Sequence, residues 1–228
     1  MFSGKKILIL GGSGGIGREI VSCLRDYHGE VSAPSHAQLD LADAESINNY
    51  FRSVNASCNA MIYAAGINVP KPFEELTEEN LTAALKINAL GFFSVCSHVV
   101  PAMKRLGNGR IVVLSSLYGI ISRRNRLPYS FSKHALYGMV QTLALELAKD
   151  GILVNAISPG FIGTEMTYRN NSPDKVAELA RNIPMGRLGT GREIGEVAAF
   201  LCSPRNSYIT GQNIVVDGGY IIGGWQSE

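Results

Sequence analysis

The stretch Ile7-Leu8-Ile9-Leu10-Gly11-Gly12-Ser13-Gly14-Gly15-Ile16-Gly17 decides the fold. Four consecutive apolar residues ending in glycines read as a strand covered on both faces. Ile16, Ile20, Val21 and Leu24 then recur at helical spacing until Tyr27-His28-Gly29, where a glycine past the last periodic residue marks a helix stop. A glycine-rich turn between a buried strand and a helix lets backbone N–H groups approach a pyrophosphate at the positive end of the helix dipole. A glycine triplet alone is often only a tight turn; its placement after a buried strand gives it meaning.

Working outward, the same alternation repeats. Strands are expected at Glu30–Ala33, Ala60–Ala64, Arg110–Ser115, Leu153–Ile157 and Asn213–Val216, and helices at Asn80–Leu106, Pro128–Lys149 and Glu193–Cys202. That order predicts an α/β fold with a doubly wound parallel sheet. The chain of 228 residues shows no linker, low-complexity tract or repeat, so residues 1–228 are expected to form a single domain. Only six residues separate the strand at Glu30–Ala33 from the Asp40-Leu41-Ala42-Asp43 turn. A crossover between parallel strands needs about ten or more, so this second crossover is shortened, with a helix lost.

Composition narrows the function. At 46% hydrophobic and 18% charged the chain can bury a sizeable core, which excludes a disordered protein. A formal charge of +2 is too balanced for a nucleic-acid binder held by phosphate neutralisation. Cys23, Cys58, Cys96 and Cys202 lie at least 35 residues apart and show no zinc-ligand spacing, so they read as buried thiols in a reducing compartment and no metal site is expected. The N-terminus reads as neither a signal peptide nor a membrane span, and a soluble cytoplasmic protein without membrane partners is the expectation.

Tyr129 and Lys133 stand four apart on an expected helix and therefore share a face. A phenol of ordinary pKa about 10 is a poor acid or base at neutral pH, and a cation one turn away favours the phenolate. The pair alone usually means a tyrosine packed beside a snorkelling lysine. Ser116 changes that reading, because it ends a strand thirteen residues before Tyr129, at the carboxyl edge of the sheet where ligands bind.

The spacing Gly11, Gly15, Gly17 resembles the T-G-x-x-x-G-x-G turn of the short-chain dehydrogenase/reductase family, with Leu10 in place of Thr. Ser116, Tyr129 and Lys133 resemble that family's catalytic triad, and Asn88 in Lys86-Ile87-Asn88-Ala89 matches its fourth member, which supports a water relay behind the lysine. Asn155-Ala156-Ile157-Ser158-Pro159-Gly160-Phe161-Ile162-Gly163-Thr164 resembles the stretch that receives the nicotinamide. The segments Ile183–Gly189, Tyr208–Gln212 and Val216–Gly219 are similar to bacterial 3-oxoacyl-[acyl-carrier-protein] reductases. The resemblance implies a Rossmann-like NAD(P)-dependent ketoreductase. Its implied cofactor contacts are Gly11, Ser13, Gly15, Ile16, Gly17, Arg18, Ser35, Asp40, Leu41, Ala65, Gly66, Tyr129, Lys133, Pro159, Gly160, Ile162 and Thr164. The family's N-A-A-G appears here as Tyr63-Ala64-Ala65-Gly66, so the contacts of that Asn must be replaced or absent.

The acid that would accept from an adenosine 2′-OH, about 20 positions past the glycines, is missing near Pro34–Ala37. Ser32, Ser35 and His36, helped by Arg18, could donate to a 2′-phosphate, which favours NADP(H) over NAD(H); the alternative for Ser35 and His36 is a solvated turn. Arg123, Arg124 and Arg126, between Ser116 and Tyr129, together with Arg169, suggest a substrate entrance for an anionic or carrier-bound ketone. They could equally pair with acids of a neighbouring subunit. Surplus apolar residues on the two long helices, among them Phe93, Val100, Leu143 and Leu145, agree with the homotetramer that the resemblance implies. Two other readings remain: an NAD-dependent dehydrogenase of a sugar or secondary alcohol, and a nucleotide-binding protein without catalysis.

Overall fold

The computed structural model describes residues 1–54 and 56–223. Six parallel strands form one sheet: β1 (Lys6–Leu10), β2 (Glu30–Ser32), β3 (Ala60–Tyr63), β4 (Gly109–Leu114), β5 (Ile152–Pro159) and β6 (Asn213–Val216), in the order β2-β1-β3-β4-β5-β6. Among the described residues eight α-helices accompany them: α1 (Gly15–Asp26), α2 (Ala44–Ser53), α3 (Glu78–Leu85), α4 (Gly91–Leu106), α5 (Leu127–Leu147), α6 (Glu165–Asn170), α7 (Pro173–Arg181) and α8 (Gly191–Cys202).

The pleat sorts the strand residues between two apolar layers. Leu8, Leu10, Met61, Tyr63, Ile111, Val113 and Val154 face α2, α4 and α5. Ile7, Ile9, Ile62, Val112, Leu114 and Ile157 face α1 and α8. Glu78–Leu106 is long and apolar enough to cross a membrane by length and composition, yet Phe92, Val95, Val99 and Met103 are fully buried against the sheet. All four cysteines are buried and unpaired.

The connection after β2 differs from the expected shortened crossover: the chain from β2 to β3 runs through residues 33–59 and carries a helix, α2. No strand forms between Ala33 and Asp43, so β2 is the sheet edge. The chain returns through α2, started by the Asp43 side chain accepting from the Glu45 N–H at 2.9 Å. α2 was not foreseen because its apolar face is narrow, with Ile47 and Phe51 as its buried residues.

β2 and β3 both pair with β1, so the order of the strands reverses at β1 and the crevice opens at the carboxyl ends of β1 and β3. There the Ala64 N–H donates to the Leu10 carbonyl at 2.8 Å. Gly11 has φ +81, and a Cβ on it would lie 2.5 Å from the Ala65 nitrogen. A side chain is therefore excluded at Gly11 by both conformation and space.

The expected helix Asn80–Leu106 runs without a break from Glu78 to Leu106, as α3 and α4 joined through an irregular turn. α3 begins under a Thr77 capping box, and residues Lys86–Leu90 widen into a π-turn before α4. Hydrophobic spacing continues through the turn, so periodicity alone does not reveal it.

Candidate active site

The parallel sheet delivers its carboxyl edges to one side, and the candidate residues arrive there from separate elements. Ser116 follows β4, Tyr129 and Lys133 lie in the first two turns of α5, and Asn88 lies in the π-turn. Pro128 in the first turn of α5 suits a helix start, where its missing N–H has no intrahelical partner to lose.

Lys133 is 3% exposed, its Nζ donates to the Leu114 carbonyl at 2.7 Å and lies 5.6 Å from the Tyr129 ring centroid. Burial pushes its pKa down to about 8. Tyr129 behaves differently from the sequence expectation. Its pKa is raised above the usual 10 because burial outweighs the Ser116 hydrogen bond and the Arg126 charge that pull it down. The Lys133 ammonium is turned toward the strand carbonyl instead of the phenol oxygen, so a lowered tyrosine is not a property of the chain alone. Ser116 also accepts from the Tyr118 N–H at 3.1 Å, which fixes its side chain at the strand end.

Asn88 is fully buried, and its amide works in both directions. Oδ1 accepts from the Ile67 N–H at 2.8 Å, while Nδ2 donates to the Ile67 carbonyl at 3.0 Å and to Ser132 Oγ at 2.8 Å. A side chain at Gly66 would meet Asn88 Oδ1 and Lys133 Nζ, each at 3.3 Å, so Gly66, Asn88 and Lys133 form one cluster. Ile67 and Ser132 are site residues that the sequence reading missed; Ser132, one place before Lys133 and serving Asn88, was the only one of the two with a local signal.

Tyr63, the departure from N-A-A-G, has a defined task. Its hydroxyl donates to the Ile87 carbonyl at 2.5 Å, inside the π-turn. A Cβ at Gly91 would lie 2.5 Å from that hydroxyl, so Gly91 is the space that admits the larger side chain. Tyr63 thereby pairs a carbonyl next to Asn88 where helical bonding is irregular.

The dinucleotide residues converge as expected on the glycine side. α1 starts at Gly14 with no side-chain cap and no acid in its first turn, an arrangement suited to an anion. Ser13, Gly15, Ile16 and Gly17 form that turn, and Thr164 from the far side packs on Gly15, its side chain 3.0 Å from where a Cβ would stand. Thr164 also caps α6. Ala65 and Gly66 follow β3, while Pro159 ends β5 and Gly160 follows it, with the Gly160 N–H bonded to the Val216 carbonyl. Ile162 is buried and bridges to Gly189.

The adenosine side is less committed. Arg18 donates to Glu165 at 3.3 Å, so it is paired with the start of α6. Ser35 Oγ and N–H both donate to Gln38 Oε1, and His36 lies 3.8 Å from Asp40. Asp40 accepts from the Ala42 N–H, and the Leu41 carbonyl lies against Gly91.

The four arginines do not share one entrance. Arg123 donates to the Tyr118 hydroxyl at 3.0 Å, and with Arg124 it lines a cleft of about 460 Å³ whose walls include Lys71, Phe131 and His134 but neither Ser116 nor Tyr129. Arg169 is exposed on α6. Arg126 alone acts directly on Tyr129. The eight residues from Ser116 to Arg123 allow the loop to turn its successive arginines to different sides, which sequence position does not disclose.

Comparison with known proteins agrees with this geometry. A family model described as enoyl-(acyl carrier protein) reductase matches residues 16–221. The chain belongs to the short-chain dehydrogenase/reductase family. It is 38% identical over 188 residues to the 3-oxoacyl-[acyl-carrier-protein] reductase of Thermotoga maritima, covering 81% of this chain and 76% of that protein. It is 32% identical to glucose 1-dehydrogenase of Gluconobacter oxydans, covering 98% and 94%. Among solved structures, ElxO with NADP bound aligns with TM-score 0.86 at 26% identity, covering 96% of this chain and 99% of that one. The protein is an NAD(P)-dependent oxidoreductase acting on CH–OH or C=O groups, and its cofactor is a nicotinamide dinucleotide.

Two substitutions test this site. Lys133→Met removes a buried charge whose penalty is fully present below pH 8 and fades as pH rises toward the ordinary lysine value. The variant's thermal midpoint minus that of the wild type is therefore expected to be most positive below pH 8 and to decline between pH 8 and 10; a flat difference would contradict the buried ammonium. Tyr63→Phe leaves the Ile87 carbonyl unpaired, which is expected to lower stability by about 1–3 kcal/mol in urea titrations and to reduce kcat more than it changes KM. A variant with wild-type stability and kcat would remove Tyr63 from this role.

Proposed function

We propose that this protein is an NADPH-dependent ketoreductase that reduces a ketone on an anionic substrate to a secondary alcohol. The observation that carries this reading is the convergence at the carboxyl edge of the sheet of the Tyr129 phenol, hydrogen-bonded to Ser116, with Lys133 and Asn88, an arrangement able to give a proton to a carbonyl oxygen. The reductive direction rests on the similarity to 3-oxoacyl-[acyl-carrier-protein] reductases.

The residues present fit the cofactor. The uncapped start of α1 and the close-packed Gly11 suit the pyrophosphate, while Thr164, Ile162 and the Pro159-Gly160 turn border the nicotinamide end. When bound, NADPH supplies the hydride that the carbonyl carbon accepts. The phenol of Tyr129 gives its proton to the carbonyl oxygen, and the Ser116 hydroxyl donates a hydrogen bond to the same oxygen as charge develops there. Lys133 then favours the phenolate left behind, and Asn88 holds the Ile67 backbone and Ser132 beside the route by which a proton returns.

The preference for NADPH rests on the absence of a carboxylate among residues 32–39. Arg18 can turn to a 2′-phosphate at small cost, because an exposed pair such as Arg18–Glu165 is worth only about 0–1 kcal/mol. A second reading, oxidation of a sugar or secondary alcohol with NAD, is favoured by the similarity to glucose 1-dehydrogenase.

The assembly we propose is a homotetramer in the cytoplasm. Leu90, Phe93, Phe131 and Leu145, on the π-turn, α4 and α5, are 50–83% exposed, and Tyr208 and Ile222 near the C-terminal end are 95% and 87% exposed. Two separate apolar surfaces suit two kinds of contact.

Tyr129→Phe keeps the ring and removes the proton donor, and is expected to lower NADPH-dependent ketone reduction by at least about 100-fold while NADPH binding by calorimetry stays near wild type. More than a tenth of wild-type turnover, with chemistry rate-limiting, would overturn the assignment. NADH binding as tightly as NADPH would move the reading to the oxidative alternative.

A further inference from the structure

Arg126 is the one feature of the site that the reaction as described leaves unused. It is the N-cap residue of α5, one turn before Tyr129, and its carbonyl accepts from the Ser130 N–H at 2.8 Å, so its backbone is tied to the same helix start. Its Nε and Nη1 are both buried without a hydrogen-bond partner. A buried donor left unpaired costs about 1–3 kcal/mol, and more when charged. The other such atom among the described residues, Arg110 Nε, belongs to a guanidinium that already donates to Asn108, Gly109, Gly151 and Asn206.

The groups acting on Arg126 are Tyr118, Arg123 and Tyr129, and none of them is a carboxylate. Tyr118 stands edge-on to Tyr129 with ring centroids 6.3 Å apart and accepts from Arg123, so its hydroxyl is engaged with the second guanidinium. The protein has thus placed a half-buried guanidinium, two of its nitrogens out of reach of solvent, beside its proton donor and supplied no counter-ion, an arrangement that suits a ligand carrying the anion.

We infer that Arg126 pairs with a carboxylate of the substrate, and that the substrate is a short oxo acid whose carboxylate lies within a few bonds of the carbonyl being reduced. This rests on the ketoreductase reading and narrows it. In a carrier-bound thioester the atoms next to the reacting ketone are neutral and the phosphate lies at the far end of a long arm. Its charge would fall outside, near the exposed arginines, and leave Arg126 unpaired. A free carboxylate matches the planar fork of a guanidinium and can accept two parallel N–H bonds. It would also fix the carbonyl against Tyr129 by anchoring the substrate one helical turn away.

The test compares each of two acids, acetoacetate and 2-oxobutyrate, with its methyl ester, in the wild type, Arg126→Gln and Arg126→Lys. Thermal melts and NADPH binding serve as checks of folding. The wild type is expected to favour the acid over its ester in kcat/KM by at least about 30-fold. Arg126→Gln is expected to erase that ratio and Arg126→Lys to keep part of it, since lysine retains the charge but not the fork. A wild-type ratio near one, or a ratio unchanged in Arg126→Gln, overturns the inference and leaves Arg126 a structural residue packed on tyrosines. If Arg126→Gln does not fold, the wild-type ratio and Arg126→Lys decide. Calorimetric binding of 3-hydroxybutyrate and its methyl ester to the enzyme with NADPH separates the two readings. If no ketone is turned over with either cofactor, the ketoreductase reading fails. The carboxylate site then stands when the acid binds more tightly than its ester and Arg126→Gln loses that difference, and it falls when the acid shows no advantage.

Discussion

The buried ammonium of Lys133 is the constraint that the rest of the site serves. Taken out of water, it has the Leu114 carbonyl as acceptor at the end of β4, and the low dielectric around it disfavours its charge. Holding it requires the strand end, the second turn of α5 and the small Gly66 beside it to be in register. The parallel sheet meets that requirement because β3 and β4 end at the same level, with Tyr63 opposite Val113. Such a lysine costs stability and is kept for what it does when a carbonyl and a cofactor enter, the usual relation between a strained site and its function.

The π-turn at Lys86–Leu90 is the second device. A regular helix from Glu78 to Leu106 would satisfy its own carbonyls; widening it by a residue turns Asn88 inward and disturbs the bonding of Ile87. Tyr63 from the neighbouring strand repairs that disturbance, and Gly91 makes the room. Tyr63, where the resembling family has Asn, therefore makes a polar contact of its own: a strand residue reaches across to a helix.

Much of this was legible in the chain. The Ile7–Gly17 stretch, the buried runs of β3 to β5 and the Ser116, Tyr129, Lys133 spacing each combine a type of residue with a position that only one architecture explains. What stayed hidden has physical reasons. α2, α6 and α7 are short and largely exposed, so apolar periodicity marks them weakly. The π-turn lies within an unbroken apolar pattern. The absence of a strand after β2 shows in the sequence only as a short count of residues. Charge position misled most: four arginines looked like one electrostatic mouth, yet the loop that carries Arg123, Arg124 and Arg126 turns only the last of them to Tyr129.

Burial raises the Tyr129 pKa in the protein alone, and the phenol yields its proton readily only with a nicotinamide and Lys133 beside it. Nuclear magnetic resonance titration of ring-labelled tyrosine, with the Tyr129→Phe variant to assign the signal, measures this directly. The expected result is a Tyr129 pKa above the ordinary tyrosine value in the protein alone and a marked fall when NADP⁺ is added. A pKa already at or below the ordinary value without cofactor, or one that NADP⁺ does not move, would contradict the account.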